Sequence, residues 1–536
     1  MSTSVSSPTE NNAPPSNGQP KGDAKKKSPS IFTNARFWGF TIFFLVFLIP
    51  YGVTHGLSTF FFGVITFLEV VALFNILIIV HELGHFLAAK YCGLKIDKFA
   101  IWFGHPLWSK TVDGVEYILG TIPAGGYVAL PQMAPMEAIE GKTDTPREEL
   151  PPASPWQKIV VAFAGPLFSF GLALVFAVLV WIVGKPVSDT EATTTIGFVL
   201  PDNPAAKAGL QAGDKILSID GHQIKHFMGM GDSVIWRIVT STADTIPVVV
   251  QRGDQQLTVN VSPQKDAEHE HAWYQRSATR KIGIGPASDA NIIKKLLPNS
   301  PALAAGLQVG DRITKINGET IYSPAAIDFW IKDHPYNTIQ FTVVRKGQES
   351  IINVTPEVPV SPNPMPKDSA PTDIGIDDWE TSVSLVHPTP FQQVADSVSA
   401  VTGTLGALFA SHSSIGASQL SGPVGIMNIF FAVLSSENGW RYALWLAVLI
   451  NVNLAMLNLF PLPVLDGGHI ALSIIEWIRR RPLSMSILEP LQTACALVLI
   501  GYMAFITFFD VQDSGKMAMS LDGDNQVRFA PPPSAP

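Results

Sequence analysis

His81, Glu82 and His85 are the residues of this chain whose types and spacing can do chemistry. They lie in ILIIVHELGHFLAAKY, residues 76–91, a run that is otherwise mostly apolar. On a helix, positions four apart share a face, so both imidazoles reach one metal ion. Glu82 stands one step round, close enough to work on a water held by that metal. The H-E-x-x-H spacing is the pattern of a hydrolytic zinc site. Zinc takes nitrogen and oxygen ligands in a tetrahedron and leaves one position open for water. It lowers the pKa of that water from about 15.7 to about 7, where a carboxylate can take the proton.

The element that must carry these residues is a membrane helix. Residues 60–80 are nearly all apolar, too long a run for a soluble core helix and long enough to cross a bilayer. Ionisable side chains inside a membrane are costly and mark function. Three of them in five positions call for a metal. Glu69 and Asn75 are further polar residues on this helix, without an assigned role.

Composition agrees. The 536 residues are 47% hydrophobic and only 15% charged, a membrane profile diluted by a large soluble part. The net charge of -8 carries no sign of nucleic-acid binding. Cys92 and Cys495 lie far apart beside or within membrane segments, so neither a disulfide nor a cysteine zinc site is expected.

The rest of the chain divides by texture. Residues 1–36 are polar and read as a disordered tail. Lys21, Lys25, Lys26, Lys27 and Arg36 place that tail in the cytoplasm. Residues 37–57 read as an extra membrane helix, Phe37–Val53, and a turn. A cleavable signal peptide is the rival, but its leader would be unusually long and no small-residue cleavage site is clear. Residues 58–185 hold the first half of the membrane core. Within it, residues 93–130 alternate in short runs broken by Gly and Asp-Gly, as β-hairpins do. They are read as a re-entrant or interfacial β-element beside His81 and His85, with an ordinary cytoplasmic hairpin as the alternative. A Pro-rich loop over 131–154 leads to a helix through Phe163-Ala164-Gly165-Pro166, whose small residues suit close helix contact.

Residues 186–360 are soluble in character and contain a repeat. NPAAKAGLQAGDKILSIDG, from Asn203, recurs 97 residues later as SPALAAGLQVGDRITKING, from Ser300. Each copy reads as a short helix, a Gly-Asp turn, an apolar strand and a hairpin turn. Two α+β domains follow, over 186–280 and 281–360. Residues 361–411 are read as a linker and a surface helix. Residues 412–510 form the second half of the membrane core. There the apolar run 440–460 meets Pro461 and Pro463, which break the helix just before Asp466. Arg479, Arg480 and Arg481 keep this end in the cytoplasm, on the side of His81 and His85. Residues 511–536 read as a disordered external tail.

HELGH in one membrane helix, a repeated domain resembling bacterial PDZ domains, and NLFPLPVLDGGH in a later membrane helix together resemble the site-2 proteases over roughly residues 60–510. The resemblance implies an α-helical multi-pass membrane protein with a re-entrant β-element and two inserted PDZ-like domains. It implies a zinc-dependent intramembrane endopeptidase with Zn2+ on His81, His85 and Asp466 and with Glu82 as the catalytic carboxylate. It places substrate-binding groups at Asn453, Asn458, Gly125, Gly126 and Tyr127, and gives His469 a structural role. Expected partners are single-span membrane proteins, such as anti-sigma factors or signal-peptide remnants cut after their external part is trimmed, and the lipid bilayer. The expected place is a bacterial cytoplasmic membrane, with the PDZ-like pair outside. Ile282-Gly283-Ile284-Gly285 is read as the start of a carboxylate loop in the second copy, against only Ile196-Gly197-Phe198 in the first. Capture of peptide C-termini and a ligand-free steric role for the pair both stay open.

Overall fold

The computed structural model describes residues 57–133, 150–265, 276, 278–361, 370–410, 413–481, 483–520 and 527–530. The tail and extra helix expected before residue 57 lie outside them. Seven helices frame the membrane part: α1 Leu57–Tyr91, α2 Pro155–Val183, α3 Pro390–Phe409, α4 Pro423–Leu434, α5 Gly439–Asn458, α6 Asp466–Arg479 and α7 Met485–Ser520. Five segments are long and apolar enough to cross a membrane: Phe61–Tyr91, Pro155–Val183, Ala417–Leu434, Gly439–Asn458 and Leu488–Asp513. The chain is thus a multi-pass membrane protein carrying β domains. Its large apolar side chains face outward on these helices, among them Phe61, Leu167, Trp181 and Val498. Where helices meet, alanines let the backbones come close: Ala173 and Ala177 of α2 pack with Ala447 and Val448 of α5 and with Leu77 of α1. Water does not drive apolar association inside a bilayer, so close approach of backbones must hold the bundle.

The start of α2 is set by a capping box, Ser154 and Gln157 satisfying each other's backbone N–H groups, with Pro155 in the first turn. The expected surface helix α3 lies against the bundle. Val394 and Val398 pack on the α2–α5 contact, and Gln393 donates to the Ala177 carbonyl at 2.9 Å.

Residues 98–129 form one sheet rather than separate hairpins. Its strands are β1 Lys98–Phe103, β2 Trp108–Val112, β3 Val115–Leu119 and β4 Ile122–Ala129, in the order β2-β3-β1-β4. β2 and β3 form a hairpin through Asp113-Gly114, both at positive φ as a tight turn requires. β1 then pairs with β3 in parallel, leaving β4 at the edge. Phe99 and Val128 bury one face of the sheet against the end of α1, around Ala89 and Phe86.

Between α2 and α3 the chain leaves the membrane part through a two-stranded neck, Lys185–Ser188 antiparallel to Val383–Val386. Beyond it stand two β-units built alike, each with a four-stranded antiparallel sheet and its own apolar core. Each repeat motif ends in a buried lock. Arg252 grips Asp214 through two nitrogens at 2.6 and 2.7 Å and donates to the Gly209 carbonyl. Arg345 does the same to Asp311 and Gly306.

The unit boundaries differ from the sequence reading. Ile284–Pro286 pairs with Ile196–Val199, and Ile282 lies in the first core, so the Ile-Gly-Ile-Gly stretch closes the first unit instead of opening the second. The second unit is closed in the same way by Ile376–Trp379, which pairs with Ile293–Leu296, while Ile374 joins its core. Part of the expected linker is therefore folded. Local pattern suggested that each unit ends with its last long strand. The closing strand, separated from its partner by about eighty residues or more, returns to the first strand of its own unit. The tail also departs from expectation: α7 runs to Ser520, and Val527–Ala530 lies against the second unit.

Candidate active site

His81 and His85 project from one face of α1 toward the start of α6. Asp466 is the first residue of α6, its carboxylate at the helix N-terminus where the dipole favours negative charge. α5 ends at Asn458, and the stretch 459–465 turns the chain back. Gly467 and Gly468 make that reversal possible. A Cβ on Gly467 would stand 2.2 Å from the Leu459 carbonyl oxygen, and one on Gly468 2.0 Å from that of Leu462. No side chain fits at either position.

Three ligand-type groups converge. His81 Nε2 is 3.3 Å from Asp466 Oδ2, His85 Nε2 is 3.4 Å from Asp466 Oδ1, and the two Nε2 atoms are 3.3 Å apart. These side chains are only 8%, 12% and 18% exposed. The far side of each imidazole is engaged. His85 Nδ1 donates to the Val161 carbonyl at 2.8 Å. A carbonyl only accepts, so in the neutral ring the proton is on Nδ1 and the Nε2 lone pair faces Asp466. His81 Nδ1 meets the Ser169 hydroxyl at 3.0 Å, and Ser169 is fully buried. The Ser169 hydroxyl can accept from a His81 Nδ1–H; with that tautomer two imidazole lone pairs and a carboxylate point into one small space, and a single cation between them answers all three. Two nitrogens, one carboxylate and room for water make a catalytic zinc donor set, so the residues fit that metal.

α2 is shaped around this cluster. A Cβ at Gly165 would stand 2.2 Å from His85 Nε2, so the glycine of Phe163-Ala164-Gly165-Pro166 makes room for a ligand-type ring. A Cβ at Gly84, between the two histidines, would stand 2.4 Å from the Ala164 carbonyl oxygen. The two helices touch at the site through these two glycines.

A cavity of about 270 Å³ opens on the cluster, lined by Glu82, Gly125, Gly126, Tyr127 and Asn458 among others. β4 runs so close that a Cβ at Gly126 would stand 3.3 Å from Glu82 Cγ. The Asn458 amide nitrogen is 3.3 Å from His81 Nε2. Asn453 is not on this wall. Five residues turn a helix by about 500°, which puts Asn453 about 140° round α5 from Asn458. His469 is buried on the cavity wall but lies outside the three-ligand group.

Two contacts were not readable from the sequence. Ser169 showed no ligand-like spacing. Trp102 sits at φ 70, unusual for a bulky side chain, where β1 and β4 shift register. Its indole N–H donates to the Asn75 side-chain oxygen Oδ1, and the Asn75 Nδ2 in turn donates to the Val71 carbonyl at 2.6 Å. A polar residue inside α1 thus pins the sheet that carries the cavity's β4 wall.

Comparison with known proteins agrees with this geometry. The chain is 29% identical over 458 residues to the protease RseP of Yersinia pestis, covering 81% of this chain and 96% of the relative. It is 28% identical to the regulator of sigma-E protease RseP of Escherichia coli K12, with the same coverage. A Neisseria meningitidis protein provisionally named a zinc metalloprotease is 29% identical, over 82% of this chain and 97% of that one. The profile of peptidase family M50 matches residues 69–501, which take in the His81–His85 part of α1, the repeated motifs of both β-units and Asp466. With a hydrolytic zinc donor set between membrane helices and this match across most of its length, the chain belongs to peptidase family M50, as a zinc metalloprotease of the site-2 type.

Proposed function

We propose that this chain cuts single-span membrane proteins within or beside the bilayer, with His81, His85 and Asp466 as zinc ligands and Glu82 as general base. The observation that carries the reading is the convergence of two imidazole Nε2 atoms and one carboxylate from helices far apart in sequence. Zinc bound there supplies a Lewis acid and a water of lowered pKa. The protein's own part is orientation and proton handling. Val161 and Ser169 fix the two rings. Glu82, on the cavity wall, takes a proton from the attacking water and returns it to the leaving nitrogen of the scissile peptide.

A substrate helix must unwind before it is cut, because its carbonyls are bonded internally. β4 is an edge strand of its sheet and borders the cavity, so an unwound segment can add to it as a further strand. Gly125, Gly126 and Tyr127 belong to that edge, and the Asn458 amide offers both a donor and an acceptor to the extended backbone.

The β-units act as PDZ-like domains on the external side of a bacterial cytoplasmic membrane. The neck brings both ends of the pair to one place at the end of α2. A bulky pair on such a stalk excludes substrates with large external parts and admits those already trimmed, such as anti-sigma factors or signal-peptide remnants. In the test, purified Glu82→Gln enzyme should keep its zinc and lose cleavage of a single-span substrate by roughly 10²–10⁴-fold. Wild-type turnover by that variant would remove Glu82 from the role. Replacing residues 190–381 by a flexible linker keeps both neck strands and should admit substrates with large external domains. If the intact enzyme already cuts large and small substrates equally, the pair is no gate.

A further inference from the structure

The stretch after the last membrane helix has one aromatic residue, Phe529, followed after Ala530 by Pro531, Pro532 and Pro533. Val527–Ala530 docks on the second β-unit. The Val360 N–H donates to the Arg528 carbonyl at 2.8 Å, and the Arg528 N–H donates to the Ser361 carbonyl at 2.9 Å, an antiparallel bridge. Phe529 is 6% exposed while Arg528 and Ala530 on either side are exposed, the alternation of an added strand. Its ring lies at the junction where the closing strand of the unit begins. A Cβ on Gly375 would stand 2.9 Å from Phe529 Cε2 and 2.2 Å from Ser300 Cβ, so the missing side chain at Gly375 leaves the space the ring borders.

The first β-unit is tied to the same helix differently. Arg276 bonds Asp510 at 2.8 Å and Asp513 at 2.6 Å, both on α7. The other Asp510 oxygen accepts the N–H groups of Gly422 and Gly425 at the start of α4. The two units thus share one anchor, and the second is held to it by Val527–Ala530.

We propose that the second β-unit carries a peptide site, formed by the Val360–Ser361 backbone and the space beside Gly375 and Ser300 that the Phe529 ring borders. It takes an extended segment with a single aromatic anchor, and its resident occupant is this chain's own Val527–Ala530, which straps the unit to α7. A tethered occupant competes at an effective concentration on the order of millimolar, so the site is closed to free peptide while the strap is seated.

Two measurements test the site itself. The first uses full-length protein in native membranes carrying Ser361→Cys and Arg528→Cys, with the two native thiols replaced and a protease site inserted between Ser520 and Val527. After oxidation and cleavage, the tail should stay attached until reductant is added, and adding Phe529→Ala should reduce the trapped fraction several-fold. The second uses a fluorescent peptide spanning Asn525–Pro536. It should bind a chain ending at Gln526, at least tenfold more weakly when it carries Phe529→Ala, and should not bind the intact chain at the same concentrations. Absence of the cross-link, or equal peptide binding by the intact and shortened chains, overturns the proposal. A further arm rests on the steric gate proposed above. The chain ending at Gln526 should cut substrates with large external domains faster, with small substrates unchanged. If cross-link and peptide behave as expected while the size preference does not move, the gate fails and the peptide site stands.

Discussion

Asp466 and Asp311 are both carboxylates drawn out of water, and the protein holds them in opposite ways. Asp311 is fully buried and receives two guanidinium nitrogens of Arg345 and the Gln308 N–H. Arginine stays charged at every relevant pH, so the partner charge is permanent and the pair needs nothing else. Asp214 in the first unit is held identically by Arg252 and Gln211. Asp466 instead faces two imidazoles, each with its other nitrogen engaged by a neighbour. Neutral imidazoles bring lone pairs, not charge. A carboxylate surrounded by arginine nitrogens is a structural lock, and one surrounded by imidazole lone pairs leaves its charge for a metal to meet.

That contrast breaks if either carboxylate behaves like the other. The largest effect is expected at the metal site. Asp466→Ala should take zinc content from about one per chain to background and abolish cleavage, while His469→Ala keeps zinc. Full zinc in the first variant and loss in the second would exchange their roles.

The lock comes next. Asp311→Asn should destabilise the second unit, seen as earlier unfolding in denaturant, with zinc content unchanged. Burial alone would push the Asp311 carboxyl up, but the Arg345 hydrogen bonds, the Gln308 N–H and the Arg345 charge together outweigh it and hold it below the ordinary range. A carboxylate depressed in the folded state stabilises above its unfolded pKa, and the contribution fades as pH falls through the depressed value. The wild-type second unit should therefore lose stability in acid more steeply than the Asp311→Asn variant. Parallel curves would deny the lock its charge.

Smaller effects sharpen the metal side. Ser169→Ala leaves His81 Nδ1 without its partner and should weaken zinc affinity by about 10 to 100-fold, measured by competition with a chelator. Unchanged affinity would mean that packing alone orients His81. Trp102→Phe removes the bond to Asn75 and should lower kcat/KM about fivefold, the worth of one hydrogen bond of ~1 kcal/mol, without touching zinc. A matching loss in Asn75→Leu and no further loss in the double variant would confirm that one contact was removed twice.

The sequence by itself determined the ligand-type pair and the carboxylate beside it, because i and i+4 on a helix is a local rule that His81 and His85 obey wherever the helix goes. It determined the chain reversal before Asp466, since Pro461 and Pro463 cannot continue a helix. It also determined the repeat, through matching Gly-Asp turns whose backbone needs are local. Only the tertiary structure decided what meets what. Gly84 and Gly165 show their purpose once α1 and α2 touch, and Ser169 becomes a partner of His81 only across that contact. The closing strands of the β-units pair with residues about eighty or more positions away, so no window of sequence contains both partners. Asn453 and Asn458 look equivalent as letters, but the turn of α5 puts only Asn458 on the cavity. Val527–Ala530 reads as part of a polar, proline-rich tail, and one aromatic ring acquires meaning only beside the glycine that makes space for it. Helix periodicity is written along the chain, whereas close approach is a property of two surfaces, and the second surface is supplied by folding.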